Sequence, residues 1–345
     1  MSKKKTYRPI DILNVYYQSE TSRTIVGRLA YKNGQIWFEY DANFLATGLE
    51  LSPIKLPLQR GVISGKDSPF EGLFGLFNDS LPDGWGRLLL DRYMVSLGID
   101  HVSLSPLDRL AYVGNNGMGA LCYEPDYSEV HIKNSDLDLN KLNNEVNKVI
   151  EGESTETLEE LYNLGGSSAG ARPKVLIGYN PKTNRIIHGQ QELPEGFEHW
   201  MVKFASSLDQ KDIGRIEYAY SIMAKQAGIE MPETKLFQGE GQNQWFGIKR
   251  FDRKESNRIH MHSASGLLHA DHCYPSLDYD GLFRCALILN QDIQEVTKLF
   301  RLATFNIFAH NRDDHSKNFS FLMDSKGIWR FALAYELTFS SGPGG

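Results

Sequence analysis

The chain has 345 residues, 41% hydrophobic and 23% charged, enough for one large or two ordinary domains with real cores. A net charge of −6 and a pI near 6.0 give no global field favouring nucleic acid or an anionic membrane, though a local basic patch stays open. The basic start "MSKKKTYRP" leads into no secretory-type apolar segment, and no apolar run approaches the roughly 18 residues of a membrane span. Cys122, Cys273 and Cys285 are too dispersed for a disulfide framework or a CxxC metal site. They are expected to be buried small apolar groups in a reducing, cytoplasmic setting.

Residues 1–125 carry several short strand-like runs. "TIVGRLAYKNGQIWFEY" holds two of them around Asn33-Gly34, a pair that tolerates positive φ at both turn positions and predicts a hairpin. "DGWGRLLLDRYMVSLG" predicts a helix, with Leu88, Leu89, Tyr93 and Leu97 at helical spacing and Gly98 as a stop. "RLAYVGNNGMGALCYEP" reads as strand, glycine-rich turn, strand, with Gly114, Gly117 and Gly119 serving turns. This half is expected to be a small α+β domain with no chemistry of its own. In residues 126–160 polar residues dominate, and "LNKLNNEVNKVI" predicts an amphipathic linker helix with Leu139, Leu142, Val146, Val149 and Ile150 on one side. From residue 161 the signals alternate. "GGSSAGARPKVLIGY" is a glycine-rich turn entering a strand, and "HWMVKFAS" a strand with one lysine. "IEYAYSIMAKQAGIEMP" predicts a helix ending at Gly228, "QWFGIKRFD" a strand, and "DIQEVTKLFRLATFNIFAHN" a long apolar helix.

The next stretch, "AHNRDDHSKNFSFL", is a polar loop with neither glycine nor proline. Asp313 and Asn318 stand five residues apart, the separation of Asp and Asn in a protein-kinase catalytic loop. A tight loop of that length points both into one cleft, the Asp toward an attacking hydroxyl and the Asn toward Mg²⁺ on the phosphates. Mg²⁺ takes a further hard oxygen donor, and Glu336 in "ALAYELTF" follows one short hairpin later. Lys203 is a lone lysine among Trp200, Met201, Val202 and Phe204. Its burial is expensive unless a phosphate or Glu217 pairs it; the alternatives are a lysine snorkelling at a sheet edge and a solvated Glu217. "GGSSAGARPK" offers small residues whose N–H groups can cover phosphates, or only a turn. "GSSAG" also fits the G-x-S-x-G nucleophile elbow with Ser168 as nucleophile. The elbow needs an apolar strand before it and a helix after it, whereas polar, helical "TETLEELYNL" precedes and "ARPKVLIGY" follows. A zinc site at His310, Asp314 and His315 lacks one-face spacing and further ligands.

"FNDSLPDGWGRLLLDR", "DRLAYVGNNGMGAL", "GGSSAGARPK", "FGIKRFDR", "NRDDHSKNFSF" and "AYELT" together resemble, in order and along nearly the whole chain, the HipA kinases. These are the toxin half of bacterial HipA–HipB toxin–antitoxin pairs. The resemblance implies an α+β fold in which the N-terminal α+β domain (1–125) packs on a bilobed protein-kinase-like core (161–345). The lobes would divide near residue 253, with 126–160 as linker. It implies Asp313 as catalytic aspartate and Asn318 and Glu336 as Mg²⁺ ligands. ATP would be held by Lys203, by Gly166, Ser168, Ala169 and Gly170, by His315, and by the hinge around Lys249 and Phe251. It also implies self-inhibition by phosphorylation of Ser167, or of its neighbour Ser168. The roughly two added negative charges would compete with ATP phosphates for the same N–H groups and Lys203. The implied partners are a protein substrate of the aminoacyl-tRNA synthetase class and a DNA-binding HipB-like antitoxin, with DNA reached mainly through the antitoxin and no membrane.

Two departures stand out. The family usually has aspartate where this chain has Glu336, and the extra methylene predicts slower transfer, because Mg²⁺ tolerates little distortion. The chain also stops at "SSGPGG", where relatives continue into a helical segment, so a truncated core with uncovered apolar surface is expected. Three functions stay open: a Ser/Thr kinase, an attenuated nucleotide-binding regulator acting with the antitoxin on operator DNA, and a serine hydrolase using Ser168.

Overall fold

The computed structural model describes residues 7–19, 22–128, 136–153, 157–166, 170–189, 192–206, 209–255 and 257–341. The first half builds an antiparallel sheet of order β4-β3-β2-β1-β5 from β1 (Ile12–Gln18), β2 (Arg23–Lys32), β3 (Gln35–Tyr40), β4 (Val62–Ser64) and β5 (Leu121–Glu124). The predicted hairpin is there: Asn33 and Gly34 take φ of 52° and 75° and Lys32 pairs with Gln35. Four helices accompany the sheet, α1 (Ala42–Thr47), α2 (Gly75–Asn78), α3 (Gly84–Ser96) and α4 (Pro106–Val113).

Helix α4 corrects the strand expected at "RLAYV". The Ser105 hydroxyl accepts from the Asp108 N–H, the Asp108 carboxylate accepts from the Ser105 N–H, and Pro106 opens the first turn. This reciprocal cap, with burial of Leu107, Leu110 and Ala111, overrides the strand-like composition.

The second sheet is also antiparallel, of order β7-β6-β8-β10-β9. It comprises β6 (Lys174–Tyr179), β7 (Ile186–His188), β8 (Glu198–Lys203), β9 (Thr234–Gln238) and β10 (Gln244–Lys249), with α5 (Leu139–Ile150), α6 (Leu158–Gly165) and α7 (Ile213–Gln226). The predicted amphipathic helix is α5. Its Leu139, Leu142, Val146 and Val149 share a core with Trp200, Val202, Phe237 and Trp245 of the sheet. The chain then forms the hairpin β11 (Arg253–Lys254) and β12 (Asn257–Arg258), followed by β13 (His260–Ser263) and helices α8 (Ala264–Leu268), α9 (Tyr279–Asn290) and α10 (Ile293–Phe308). Strands β14 (Ser320–Met323) and β15 (Trp329–Phe331) complete a third sheet, β13-β14-β15. Helix α10 is the predicted long helix, and it leaves Ile293, Phe300 and Ile307 exposed.

Neither core respects the boundary between the two halves. One joins the first sheet and α2 to α8, α9, α10 and β14; the other joins α3 to α5, α6 and the second sheet. The seam is polar and largely buried. Arg258 donates to the carbonyls of Asn115, Gly117 and Gly119, and Arg253 to those of Gly117 and Gly119. Asp252 accepts from Gly119 N–H at 2.8 Å and from Arg250. Asp79, at the end of α2, meets His262 Nδ1 at 2.6 Å, and His262 Nε2 lies 3.0 Å from Ser52 Oγ. Ser52 and His262 of that Ser–His–Asp chain are buried, and the chain holds the seam.

Buried histidines make stability pH-dependent. Burial holds His199 and His260 down to about 3. They stay neutral when folded but take a proton near pH 6.5 when unfolded. Stability is therefore full above that value and falls as pH drops toward the folded values, by about 1.4 kcal/mol per pH unit for each histidine. Urea midpoints between about pH 7 and pH 5 should show the loss. His260→Gln should remove one histidine's share of the slope while keeping a donor for the Leu51 carbonyl that His260 Nε2 reaches at 2.9 Å. An unchanged slope would count against this assignment.

Candidate active site

A cleft of about 470 Å³ opens where the second sheet meets the loop after α10, and its walls include Lys174, Lys203, Asp313, Asn318 and Glu336. Lys203 ends β8 and is only 4% exposed; its Nζ lies 2.5 Å from Glu217 Oε1 and 2.7 Å from Glu336 Oε2. The lysine is therefore paired rather than snorkelling, and Glu217, in α7, is buried rather than solvated. Burial alone would lower the lysine's pKa, but the two carboxylates outweigh it and hold the ammonium charged. A second lysine joins it. Lys174 opens β6, is 2% exposed, and reaches Glu336 Oε1 at 3.4 Å. Strands β6 and β8 pair Lys174 with Lys203, which puts both side chains on one face of the sheet. Burial lowers the Lys174 pKa despite Glu336. Burial likewise pushes Glu336 up, but the two lysines prevail and keep its carboxyl well below the usual range.

The loop that carries Asp313 and Asn318 is pinned from several sides. Asn311 Nδ2 donates to Asn306 Oδ1 at 3.0 Å, and the Tyr279 hydroxyl donates to Asp314. Asn318 Nδ2 donates to the Asp313 carbonyl at 2.6 Å, closing the five-residue loop. Asp313 itself is 67% exposed, its carboxylate 3.9 Å from His315 Nε2. The Tyr335 hydroxyl donates to the Lys317 carbonyl at 2.7 Å, which ties the segment carrying Glu336 to this loop. Asn318 and Glu336 thus offer a carboxamide oxygen and a carboxylate on one cleft. That donor set fits Mg²⁺, whose remaining positions waters and phosphates would fill.

Lys249 and Phe251 also line the cleft. The Lys249 N–H is committed to Glu233 O and the Arg250 N–H to His199 O, both at 2.9 Å. Gly170 and His315 line the cleft; Gly166 ends α6, its N–H on Tyr162 O, and is not among the lining residues. Ser167, Ser168 and Ala169 lie outside the described residues. His310, Asp314 and His315 do not gather as ligands: among the described residues the cluster with metal-binding chemistry is Asp271, His272 and Cys273. Cys122 and Cys285 are buried as expected, but Cys273 is exposed.

The family description "HipA N-terminal domain" matches residues 13–124, and "HipA-like C-terminal domain" matches residues 166–344. The chain belongs to the HipA family. Among solved structures it is similar to the HipA of Shewanella oneidensis MR-1, in a toxin–antitoxin complex with HipB and its operator DNA. The TM-score is 0.68 at 19% identity, covering 95% of this chain and 76% of that one. That likeness shows the α+β HipA fold. The Helicobacter pylori proinflammatory kinase CtkA aligns over 40% of this chain and 50% of its own, at 16% identity and a TM-score of 0.32, too little to argue from. No curated protein matches. No helix among the described residues is long and apolar enough to cross a membrane.

Sequence reasoning singles out one cleft lysine in this HipA chain and misses the other. Lys174 carries the same signal as Lys203, since all of "KVLIGY" is buried around it. The first half, read as free of chemistry, contributes Asp79 and Asp83 to the cleft wall. Lys317 is missed as well; it pairs with Asp83 across 234 positions, and nothing local marks either residue.

Proposed function

We propose that this HipA chain is an ATP-dependent Ser/Thr protein kinase of a toxin–antitoxin pair. The observation that carries the reading is the meeting of Asp313 and Asn318 with the buried Lys203–Glu217 pair and Glu336 on one cleft. ATP would lie with its phosphates against Lys203 and Lys174 and its base toward Phe251. Asn318 and Glu336 would hold Mg²⁺, which when bound neutralises charge on the phosphates. Asp313, exposed at the mouth, would orient the substrate hydroxyl and take its proton. Ser167, or Ser168, is the proposed self-acceptor. The proposed partners are a HipB-like antitoxin, which carries the contact with DNA, and a substrate of the aminoacyl-tRNA synthetase class, in the cytoplasm.

A second reading, the attenuated regulator, is favoured by Glu336, whose carboxylate is already engaged by both lysines, which compete with a metal for it. One experiment separates the readings: incubation with ATP and Mg²⁺ followed by intact-mass measurement. The kinase gains phosphate on a peptide holding Ser167 or Ser168, and Glu336→Asp gains it faster. Nucleotide binding without phosphate gain supports the regulator. Equal rates for Glu336→Asp and the present sequence remove the attenuation idea. Labelling of Ser168 by a fluorophosphonate would point to the hydrolase instead.

A further inference from the structure

We infer that Asp83, from the N-terminal half, is a positioning residue of this cleft: its carboxylate ties the end of the glycine-rich turn to the loop that carries Asp313 and Asn318. The kinetic part of the inference rests on the kinase reading; the structural part does not.

One carboxylate makes two bonds to two different walls. Asp83 Oδ1 accepts from the Gly170 N–H, and Oδ2 lies 2.7 Å from Lys317 Nζ. His272 Nε2 stands 3.8 Å away on the same side. Burial pushes the Asp83 carboxyl up, but Lys317 outweighs it and keeps the group ionised.

The backbone beside Asp83 grips the same turn. The Trp85 N–H donates to the Gly170 carbonyl and Trp85 Nε1 donates to the Lys174 carbonyl, each at 3.1 Å. Gly84, at φ 44°, makes the approach possible: a Cβ there would stand 2.6 Å from the Gly170 oxygen. Trp85 is buried in the core that α3 shares with α6 and the second sheet, so the grip rests on a rigid element. Lys317 is fixed independently, its N–H on His315 Nδ1 and its carbonyl on Tyr335.

Asp83 is therefore more than a staple between halves. The seam already has a separate latch, in which Asp252 takes the Gly119 N–H and pairs with Arg250 and Arg253, while Arg258 holds the Gly119 carbonyl. What Asp83 adds is a set distance between Gly170, on the sheet side, and Lys317, on the loop side. Lys174 and Glu336 lie in the same cleft, so that distance governs the space left for a nucleotide's phosphates.

Hydrogen exchange on the full chain tests this directly. Asp83→Ala should raise exchange at the Gly170 and Ala171 amides about tenfold or more, the weight of a charge-assisted hydrogen bond, while the Gly119 amide stays protected. Asp83→Asn keeps an acceptor for Gly170 but offers Lys317 no charge. Like loss of the Lys317 anchor itself, it should raise the Gly170 exchange by less than Asp83→Ala does, and it should lower kcat for phosphoryl transfer about tenfold, with a smaller change in KM for ATP. Lys317→Met removes the other anchor and should also raise exchange at Gly170. Unchanged exchange at Gly170 in both Asp83→Ala and Lys317→Met would overturn the inference. So would a rise spread equally to Gly119, the mark of a plain interface staple. If the wild-type chain transfers no phosphate, the kinase reading fails and exchange alone decides the role of Asp83.

Discussion

Asp313→Ala is expected to abolish measurable phosphate gain, a loss of about 10²–10⁴-fold for removal of a positioned general base. The same substitution should leave the fold intact. Its side chain is 67% exposed, and His315 Nε2 lies 3.9 Å away. The bond that closes the loop runs to the Asp313 carbonyl, which alanine retains. Stability should therefore shift by no more than about 0.5 kcal/mol, the usual range for a surface change. A thermal scan and the mass assay on one preparation separate the two effects. Undiminished transfer would remove Asp313 from its assigned role, and a collapsed fold would show that the loop needs the carboxylate for itself.

Lys203→Met is expected to destabilise the chain by about 3–5 kcal/mol, because it strands two carboxylates in a low-dielectric site. Glu217 is buried and lies 2.5 Å from the ammonium; Glu336 lies 2.7 Å from it on the other side. Lys174, at 3.4 Å from Glu336, and Arg172, at 3.6 Å from Glu217, can compensate only part of the charge. Adding Glu217→Leu to Lys203→Met should restore much of the lost stability, since it removes the stranded charge and replaces it with apolar volume. Urea midpoints for the single and double variants decide the matter. A cost under about 1 kcal/mol for the single change would mean that water reaches the pair and that it is not the dry anchor its geometry suggests. Nucleotide affinity should fall in both variants, because neither restores the phosphate-facing cation.

The legible parts of this chain were those written in short-range pattern. The Asn33-Gly34 turn, α3, the apolar face of α5 and the lysine inside an apolar strand could each be read within a window of a few residues. Helix α4 shows where that fails. Its residues favour a strand by composition, and a cap of two side chains three positions apart settles the matter together with burial. Lys174 is the second such case. Its strand was predictable, but its role depends on lying opposite Lys203 across a sheet register, which a single strand does not encode.

By itself, the order of residues determined which local elements form, and the spacing of Asp313, Asn318 and Glu336 along one loop and hairpin. Only the tertiary structure decided that Glu336 bridges two lysines and that Glu217 is buried against one of them. It alone brought Asp83, from the first half, to the phosphate end of the cleft. The physical reason is range. Turn φ values, capping hydrogen bonds and helical periodicity act between near neighbours. The pairs Lys174–Glu336 and Asp83–Lys317 are separated by 162 and 234 positions and exist only once two shared cores have closed around them.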